Sequence, residues 1–249
     1  MNQPAGKVFL VGAGPGSAEL LTLRAAKVLQ ECDVVLYDRL IGPDVLALVN
    51  PGAERIYVGK HAGEQQRVQS EIFDLILQHA GAGKKVVRLK GGDPLIFGRG
   101  AEEWAVAVAA GIEVELVPGL SSAISLPALA GIPLTYREVS QSFAIITGHC
   151  TQGHAEDWTR YAAVDTLVIL MGVKDRVHIA SSLIEAGRKE SEPVAFIERG
   201  ACRDERVTLS TLGSVAASQV AVKNPAVFIV GEVVRLREKL LPKTRQPLA

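Results

Sequence analysis

The stretch with the most potential for chemistry is Lys90–Gly100, which has the sequence KGGDPLIFGRG. Its first two glycines and Asp93 follow a predicted strand, where bare backbone can approach a ligand and a carboxylate can accept hydrogen bonds from hydroxyl or amine groups. Two more glycines flank Arg99, so the adjacent residues place no side chain beside its guanidinium. The stretch predicts a ligand-binding loop, with a purely structural turn as the weaker alternative.

Acidic and basic residues follow two other predicted strands. Asp38 and Arg39 come after VVLY, and Lys60 comes after RIYVG. Ligands of open α/β sheets collect at the carboxyl ends of the strands, so these residues are candidates for acid–base chemistry. A surface ion pair or a solvated lysine is the structural alternative, which local sequence alone leaves open.

A glycine-rich turn over residues 12–16, GAGPG, follows the first predicted strand. A dinucleotide-binding loop needs the spacing G-x-G-x-x-G, and Pro15 removes one amide donor that a pyrophosphate would use. The turn favours a structural role and a ligand contact about equally. A nicotinamide-dependent oxidoreductase therefore stays open as an alternative from a different class.

Further candidate contacts occur later in the chain. Ser121 and Ser122 follow VPG and suit a helix start, where a hydroxyl caps the helix or holds a ligand. His149 ends another predicted strand, but its spacing to the nearby cysteine and histidine matches no zinc site, so we predict no metal. Met171 also ends a strand, where methionine is more often core than ligand contact.

The composition excludes several classes of protein. The chain has 249 residues with 27 basic and 27 acidic side chains, so no global field attracts nucleic acid or an anionic membrane. No apolar run is long enough to cross a bilayer, the first residues lack a signal-peptide pattern, and the three cysteines are widely spaced. We expect a cytoplasmic protein with neither a nucleic-acid nor a membrane partner.

Predicted strands and helices, which must position these residues, alternate along the first half of the chain. Five short β-branched runs predict strands, and they begin at Val8, Val34, Arg55, Lys85 and Val114. Apolar residues at helical spacing predict helices over residues 18–30, 64–80 and 102–110. Because strands alternate with helices, we predict a mostly parallel sheet whose strands are each buried on both faces.

The second half begins with a predicted helix over residues 121–130, and strands follow it. Five further strands are predicted, FAIITG, TLVILMG, PVAFIERG, RVTLSTLG and AVFIVGEVV. RVTLSTLG alternates apolar and polar residues, as a half-exposed antiparallel strand does, so this half predicts a mixed sheet. The fold class is therefore α/β with two domains, residues 1–119 with the glycine-rich loop and residues 120–249.

Eight segments, taken in order, resemble the tetrapyrrole methylases, and within that family the enzymes that methylate uroporphyrinogen III. They are GAGPGS, VVLYDRL, VGK, RLKGGDPLIFGRGAEE, VPGLSSA, AGIPLTYR, TGH and NPAVFIVGEVV, and the resemblance runs from about Val8 to Val234. It implies the two-domain fold of that family, an active site in the cleft between the domains and a homodimer. It also implies S-adenosylmethionine as cofactor, S-adenosylhomocysteine as its product and a small-molecule tetrapyrrole as substrate.

The resemblance assigns roles to matching residues of this chain. Nine positions match the family's cofactor contacts, namely Pro15, Gly91, Gly92, Asp93, Ile96, Ser121, Ser122, Met171 and Gly200. Five match its substrate contacts, namely Arg39, Arg99, Glu102, Arg137 and His149. Asp38 and Lys60 match residues proposed as proton acceptor and donor, and with Arg99 they form the implied catalytic set.

The implied reaction methylates uroporphyrinogen III at ring carbons C2 and C7, giving precorrin-2 by way of precorrin-1, an early step toward cobalamin and sirohaem. The carboxylates of such a substrate call for guanidiniums, and a sulfonium donor without phosphate tolerates the proline in the glycine-rich loop. A methylase of a later corrin intermediate and a non-catalytic tetrapyrrole sensor are the remaining alternatives.

Overall fold

A computed structural model gives the structure of the chain and describes residues 6–59, 69–149 and 156–241. The chain divides into two compact units, Met1–Ser121 and Ser122–Ala249, called here the first unit and the second unit. This division falls two residues after the expected boundary between residues 119 and 120.

The first unit is built on a five-stranded parallel sheet. Its strands are β1 (Lys7–Gly12), β2 (Val34–Tyr37), β3 (Glu54–Tyr57), β4 (Lys85–Lys90) and β5 (Glu113–Val117). They lie in the order β3-β2-β4-β1-β5, and all neighbours are parallel. The interior strands β1, β2 and β4 are mostly buried, whereas the edge strands β3 and β5 are partly exposed. The expectation of burial on both faces is therefore wrong for β3 and β5, because an edge strand has a neighbour on one side only.

Four helices of the first unit cover the two faces of this sheet. They are α1 (Leu23–Glu31), α2 (Pro43–Leu46), α3 (Gln69–Gly81) and α4 (Gly100–Ala109). Val28 of α1 belongs to one apolar cluster with Val35 of β2, and Ile76 of α3 belongs to another with Leu36. The side chains of a strand alternate in direction, so neighbouring residues of β2 serve opposite faces.

The first predicted helix begins later than the apolar spacing indicated. Residues 18–20 form a short 3₁₀ turn, and α1 starts only after Thr22, whose hydroxyl accepts a hydrogen bond from the Ala25 amide at 3.1 Å. A side-chain cap fixes where a helix starts, which periodicity alone does not reveal. Part of the predicted helix over residues 64–80 lies outside the described residues, which resume at Gln69.

The second unit contains a mixed sheet of five strands. They are β6 (Phe143–Thr147), β7 (Thr166–Leu170), β8 (Pro193–Glu198), β9 (Arg206–Thr211) and β10 (Ala226–Val230). Their order is β6-β7-β10-β8-β9, in which β6 and β7 are parallel and the other neighbours are antiparallel. The alternating strand β9 lies at an edge, and the apolar strand β10 lies at the centre. The predicted α/β class, with a parallel first sheet and a mixed second sheet, is confirmed.

Helices α5 (Ser122–Leu129), α6 (Arg176–Glu185), α7 (Leu212–Ala216) and α8 (Arg237–Leu240) complete the second unit. Its sheet is covered by one apolar cluster that includes Leu183 of α6 and by another that includes Leu126 of α5. The rings of Phe196 and Phe228 stack in the first of these clusters with centroids 4.4 Å apart. None of the helices within the described residues has the length and apolar character needed to span a membrane.

Candidate functional site

The carboxyl edge of the first sheet collects most of the first unit's predicted site residues. Because its five strands are parallel, the segments that follow them emerge along one edge. Asp38 and Arg39 follow β2, and residues 91–96 follow β4. Pro15 lies in the turn after β1, and Ser121 lies just beyond β5. The sequence prediction placed these residues at strand ends, and the topology adds that the ends share one edge.

Three glycines let the segments after β1, β4 and β5 meet through their backbones. A Cβ atom built on Gly119 would lie 2.2 Å from the Gly92 carbonyl oxygen and 2.7 Å from the Gly12 Cα atom. No side chain fits at Gly119 unless the backbone moves. This part of the edge is therefore bare backbone in a fixed arrangement, a surface that a ligand can approach closely.

Two amides of the glycine-rich turn, those of Ala13 and Gly14, already donate within the protein. Gly14 and Gly92 exchange two backbone hydrogen bonds, of 3.2 and 2.7 Å, and the Ala13 amide donates to the Lys90 carbonyl at 2.8 Å. A pyrophosphate cradle directs several free amides at one anion. The turn is accordingly built to join β1 to β4, which weighs against a dinucleotide at this position.

Asp93 ties the segment after β4 to the segment after β5. One carboxylate oxygen accepts from the Leu95 amide at 2.9 Å, and the other accepts from the Gly119 amide at 3.1 Å. Each carboxylate oxygen can accept a further hydrogen bond, so this bracing role is compatible with a ligand contact. The exposed side chain of Ile96, which has 40% of its surface accessible, follows in the same segment.

Arg99 presents its guanidinium in a fixed direction at the start of α4. The residue adopts the left-handed conformation with φ of 58°, and Nε and Nη2 donate to the two Glu102 oxygens at 3.0 and 2.6 Å. This hydrogen-bonded pair raises the pKa of Arg99 and lowers the pKa of Glu102. Both side chains are about half exposed, and the pair uses two of the five N–H donors of the guanidinium. The remaining donors are available for a carboxylate of a ligand.

A buried ionic group lies beneath this edge, and sequence reasoning missed it. Arg88 and Lys90 of β4 are each 5% exposed, and Glu103 of α4 is 1% exposed. Glu103 Oε1 accepts from Arg88 Nε at 3.0 Å, and Lys90 Nζ donates to both Glu103 oxygens at 3.0 and 2.9 Å. Burial, followed by the positive charge of Arg88, lowers the pKa of Lys90. The signal in the sequence was three cationic residues in one short strand, KVVRLK, of which Arg88 and Lys90 are buried.

Asp38 connects this buried group to the accessible edge. Its Oδ1 accepts from the Leu40 amide at 2.9 Å, and its Oδ2 lies 3.9 Å from an Arg88 nitrogen. The Asp38 side chain is 28% exposed, so a ligand can reach it. The alternative of a simple surface pair with Arg39 is wrong, since the ionic contact of Asp38 is with the buried Arg88.

The second sheet also has one edge at which predicted site residues gather. Strands β6, β7 and β8 point the same way, so His149, Met171 and Gly200 follow them at a common edge of that sheet. Met171 has φ of 57° and is 50% exposed, which excludes the core role that methionine usually has. Gly200 is buried, and a Cβ atom there would lie 2.5 Å from Leu126.

His149 lines a cavity of about 280 Å³ within the second unit. Lys174 and His178, which sequence reasoning did not single out, line the same cavity. Both residues belong to the turn and first residues of α6, whose place beside β6 depends on the fold and not on local sequence. Asp175 also lines the cavity, so this concave surface of the second unit carries both basic and acidic side chains.

Two further predicted site residues belong to the second unit, and a third is outside the described residues. Ser122 is the first residue of α5. Arg137 is exposed in a turn that ends at Ser140, whose hydroxyl pairs with that of Thr166 at 2.9 Å, at the amino end of β7. That end of the second sheet is opposite the edge with Met171, so the structure does not bring Arg137 to that edge. Lys60 lies outside the described residues.

Metal binding has no support among the described residues, which contain no group of three or more histidine, cysteine, aspartate or glutamate side chains arranged to hold an ion. Cys32 is buried, and burial raises the pKa of its thiol to about 11, so it stays protonated near neutral pH. The absence of a metal from the reaction remains a prediction.

Comparisons with known proteins point to one family. Residues 7–216 match the family model described as Tetrapyrrole (Corrin/Porphyrin) Methylases. An S-adenosyl-L-methionine-dependent uroporphyrinogen III methyltransferase of Methanosarcina barkeri is 48% identical over 241 residues, covering 94% of each chain. The crystal structure of uroporphyrin-III C-methyl transferase from Thermus thermophilus complexed with S-adenyl homocysteine matches with a TM-score of 0.83 at 48% identity, over 93% of this chain and all of that one.

Longer proteins also contain a region similar to this chain. The siroheme synthase of Tolumonas auensis is 49% identical over 237 residues, which are 94% of this chain but 51% of that protein. The chain thus spans about half the length of the siroheme synthases that it matches.

Proposed function

Because the chain belongs to the tetrapyrrole methylases, we propose that it transfers methyl groups from S-adenosylmethionine to ring carbons of uroporphyrinogen III. Relatives named for that activity match nearly the whole chain. In this proposal two transfers, at C2 and C7, give precorrin-2 by way of precorrin-1, for use in cobalamin or sirohaem synthesis. The proposed protein is a cytoplasmic homodimer.

The edge of the first sheet fits the proposed methyl donor. A nucleoside with a sulfonium group and no phosphate needs acceptors, apolar walls and close backbone contact, and it has no use for an anion cradle. Gly91 and Gly92 supply the bare backbone, Ile96 supplies an exposed apolar side chain, and Asp93 supplies a carboxylate. The paired amides of the glycine-rich turn, which weigh against a pyrophosphate, do not weigh against this ligand.

Two further proposed cofactor contacts follow strands of the second sheet. Met171, held in the left-handed conformation, exposes half of its surface, and Gly200 provides a segment without a side chain. Ser121 and Ser122 occupy the junction of the two units. We assign all of them to cofactor contact on the strength of the family match.

The exposed cations of the first unit fit the proposed substrate. Uroporphyrinogen III carries eight carboxylates, and a planar guanidinium can hold a carboxylate with two hydrogen bonds. Arg99 is held by Glu102 yet keeps unused donors, and Arg39 is exposed beside Asp38. His149 and Arg137 are assigned to the same substrate, although the structure places them in different parts of the second unit.

The methyl donor supplies an activated methyl group on sulfonium, so the main task of the protein is to orient the ring carbon that attacks it. The methylated macrocycle then releases a proton. Asp38 is the candidate acceptor because its carboxylate is partly exposed at the same edge as Arg99. Lys60 is assigned as the proton donor from the family match.

The observation that carries the proposal is the family match across residues 7–216 together with the ligand-accessible edge that holds Asp38, Asp93 and Arg99. The direct experiment incubates the purified protein anaerobically with uroporphyrinogen III and methyl-labelled S-adenosylmethionine. The expected product carries two labelled methyl groups by mass spectrometry. Calorimetry should show binding of S-adenosylhomocysteine and none of NADH.

Each alternative outcome would indicate a different function for this chain. Transfer only to a later corrin intermediate would indicate the related methylase activity, and tetrapyrrole binding without transfer would indicate a sensor. Binding of NADH in place of S-adenosylhomocysteine would restore the oxidoreductase alternative.

A further inference from the structure

Two neighbouring glutamates in the first turn of α4 have opposite surroundings. Glu102 is half exposed and holds Arg99 at the surface, whereas Glu103 is directed inward and holds Arg88 and Lys90. Burying three charged side chains is costly even when they are paired, and apolar residues of similar size often serve stability equally well. The buried group therefore calls for a role besides stability.

Counted over the described residues, the formal charges of the buried group do not balance until Asp38 is included. Arg88 and Lys90 carry two positive charges, and Glu103 carries one negative charge. Asp38, with its Oδ2 atom 3.9 Å from an Arg88 nitrogen, supplies the second negative charge. The side chains of Arg88 and Glu103 are 6% and 1% exposed and that of Asp38 is 28% exposed, so Asp38 is the member that a ligand reaches most easily.

Arg88 has little freedom to move because three acceptors surround it. Nε donates to Glu103 at 3.0 Å, while Nη1 donates to the Leu89 carbonyl at 3.0 Å and lies 3.4 Å from the Leu36 carbonyl. The other terminal nitrogen then faces Asp38 in a set direction. The Leu40 amide holds the opposite carboxylate oxygen, so Asp38 is oriented from both sides.

We infer, on the premise of the proposed methyl transfer, that Glu103 is a positioning residue that acts through Arg88 to orient the Asp38 carboxylate as proton acceptor. In that step a C–H bond of the methylated macrocycle breaks, its electron pair stays in the ring system, and the proton passes to Asp38. Lys90, which donates to both Glu103 oxygens, and Gln69, whose Nε2 donates to Glu103 Oε1 at 3.3 Å, hold the Glu103 carboxylate in place. Arg88, Lys90 and Glu103 are not among the residues assigned to cofactor contact.

The test compares Glu103→Gln with Glu192→Gln in the second unit. Glu192 forms a similarly buried pair with Arg188, whose side chain is 5% exposed, but no residue assigned to the site belongs to that pair. Among the described residues, Glu103→Gln leaves Asp38 as the one counter-ion of the two cations, and we expect their charge to draw its carboxylate inward. We expect kcat to fall about 30-fold, with the KM for uroporphyrinogen III and the Kd for S-adenosylhomocysteine changed less than about 3-fold. Glu192→Gln should lower thermal stability and leave kcat per folded molecule unchanged.

A double variant tests charge balance directly. Lys90→Met added to Glu103→Gln leaves one cation, Arg88, facing one carboxylate, Asp38. We expect it to recover about 5-fold or more of the lost kcat, which a purely structural loss would not allow. If Glu103→Gln does not fold, Lys90→Met alone should lower kcat with unchanged KM.

The outcomes separate this inference from the proposed function. Wild-type protein that transfers no methyl group would sink the proposed function and the inference with it. Active wild type with equal kcat in Glu103→Gln and Glu192→Gln, or a double variant worse than Glu103→Gln, would overturn the inference alone.

Discussion

Each unit of the molecule buries an arginine paired with a glutamate, and the two pairs differ in what their remaining donors contact. Arg188 in the second unit donates to Glu192 and to main-chain carbonyls, including those of Tyr161 at 3.1 Å and Val164 at 2.7 Å. Arg88 in the first unit shares its glutamate with Lys90 and directs one nitrogen toward the accessible Asp38.

The comparison distinguishes a buried charge that only holds the fold together from a buried charge that also contacts an accessible side chain. Within the part of the chain that the structure describes, the partners of Arg188 are Glu192 and main-chain carbonyls, which join the segment after α6 to the residues before β7. In contrast, Arg88 contacts Asp38, which lies at the edge of the sheet that holds the proposed site. The two arginines are similarly buried and paired with glutamate, so only their other hydrogen-bond and ionic partners distinguish them.

The largest effect is expected from removing Arg188. Arg188→Met leaves the Glu192 carboxylate and four main-chain carbonyls without this donor, which should cost about 3–5 kcal/mol of unfolding free energy. Turnover of the folded protein should stay at the wild-type level. Each unit holds one tryptophan, Trp104 and Trp158, so urea denaturation in a Trp104→Phe background reports on the second unit alone.

The matched change Arg88→Met should cost similar stability and also lower turnover. It is followed in a Trp158→Phe background, which leaves Trp104 as the reporter of the first unit. Equal turnover in the two arginine variants, measured on folded protein, would remove the distinction drawn between the two buried pairs.

A smaller effect is expected from exposed arginines with the same geometry. Arg99 pairs with Glu102 three residues away, and Arg235 of the second unit pairs with Glu232 at the same separation and similar exposure. Arg99→Ala should lower turnover about 100-fold, because it removes a charged hydrogen-bond donor to substrate carboxylates. The Kd for S-adenosylhomocysteine, measured by calorimetry, should change less than about 3-fold.

Arg235→Ala is the control and should leave both quantities at wild-type values. A loss of S-adenosylhomocysteine affinity in Arg99→Ala as large as its loss of turnover would show that Arg99 serves the cofactor and not the substrate.

The smallest effect on function is expected from Asp93→Ala, for which Asp165→Ala is the control. Both carboxylates brace main-chain segments. Asp93→Ala frees the amides of Leu95 and Gly119, which loosens the edge, and should weaken S-adenosylhomocysteine binding about 10-fold while kcat at saturating cofactor stays near normal. Asp165 braces the second unit by accepting from the amides of Gln141 and Ser142 at 2.8 and 2.9 Å. Asp165→Ala should leave cofactor affinity unchanged.

The Asp165 control also has a pH signature. Hydrogen bonds from the Gln141 amide and the Ser142 hydroxyl lower the pKa of Asp165 from its usual value of 3.8. Its folded-state pKa is depressed, so its stabilising effect is present above pH 3.8 and is lost as the pH falls through the lowered pKa. Asp165→Ala and wild type should therefore differ in stability near neutral pH and converge in acid. If the Kd for S-adenosylhomocysteine changes as much in Asp165→Ala as in Asp93→Ala, the assignment of Asp93 to the cofactor site is contradicted.

The strands were predictable because their signal is local. Each of the ten β-branched runs forms a strand, and the alternation in RVTLSTLG distinguished the exposed edge strand β9 from the buried β10. The start of α1 was not predictable from apolar spacing, because Ser17 and Thr22 both cap a turn and only the second cap opens an α-helix. Burial of β3 and β5 depends on strand order, which the sequence does not state.

The site was predictable where its residues follow strands and obscure where partners come from distant segments. Asp38, Asp93 and Arg99 were proposed as site residues because strand ends collect ligands, and the structure places all three in segments that follow β2 and β4. The pairing of Arg88 with Glu103 requires knowing which face of α4 meets β4, and a cationic residue within a strand is by itself ambiguous. Lys174 and His178 were missed for the same reason, since α6 meets the end of β6 only in the folded chain.

The strand order of the first sheet has a consequence for synthesis of the chain. Strand β1 is made first, yet its neighbours are β4 and β5, with Lys7 opposite Lys85 and Glu113. A nascent chain that has emerged only as far as β3 has no partner for β1, and its apolar residues stay exposed to other nascent chains. Translation must reach β4 before the two earlier parts of the sheet can join, so ribosomal pausing ahead of that strand would lengthen the period of greatest aggregation risk.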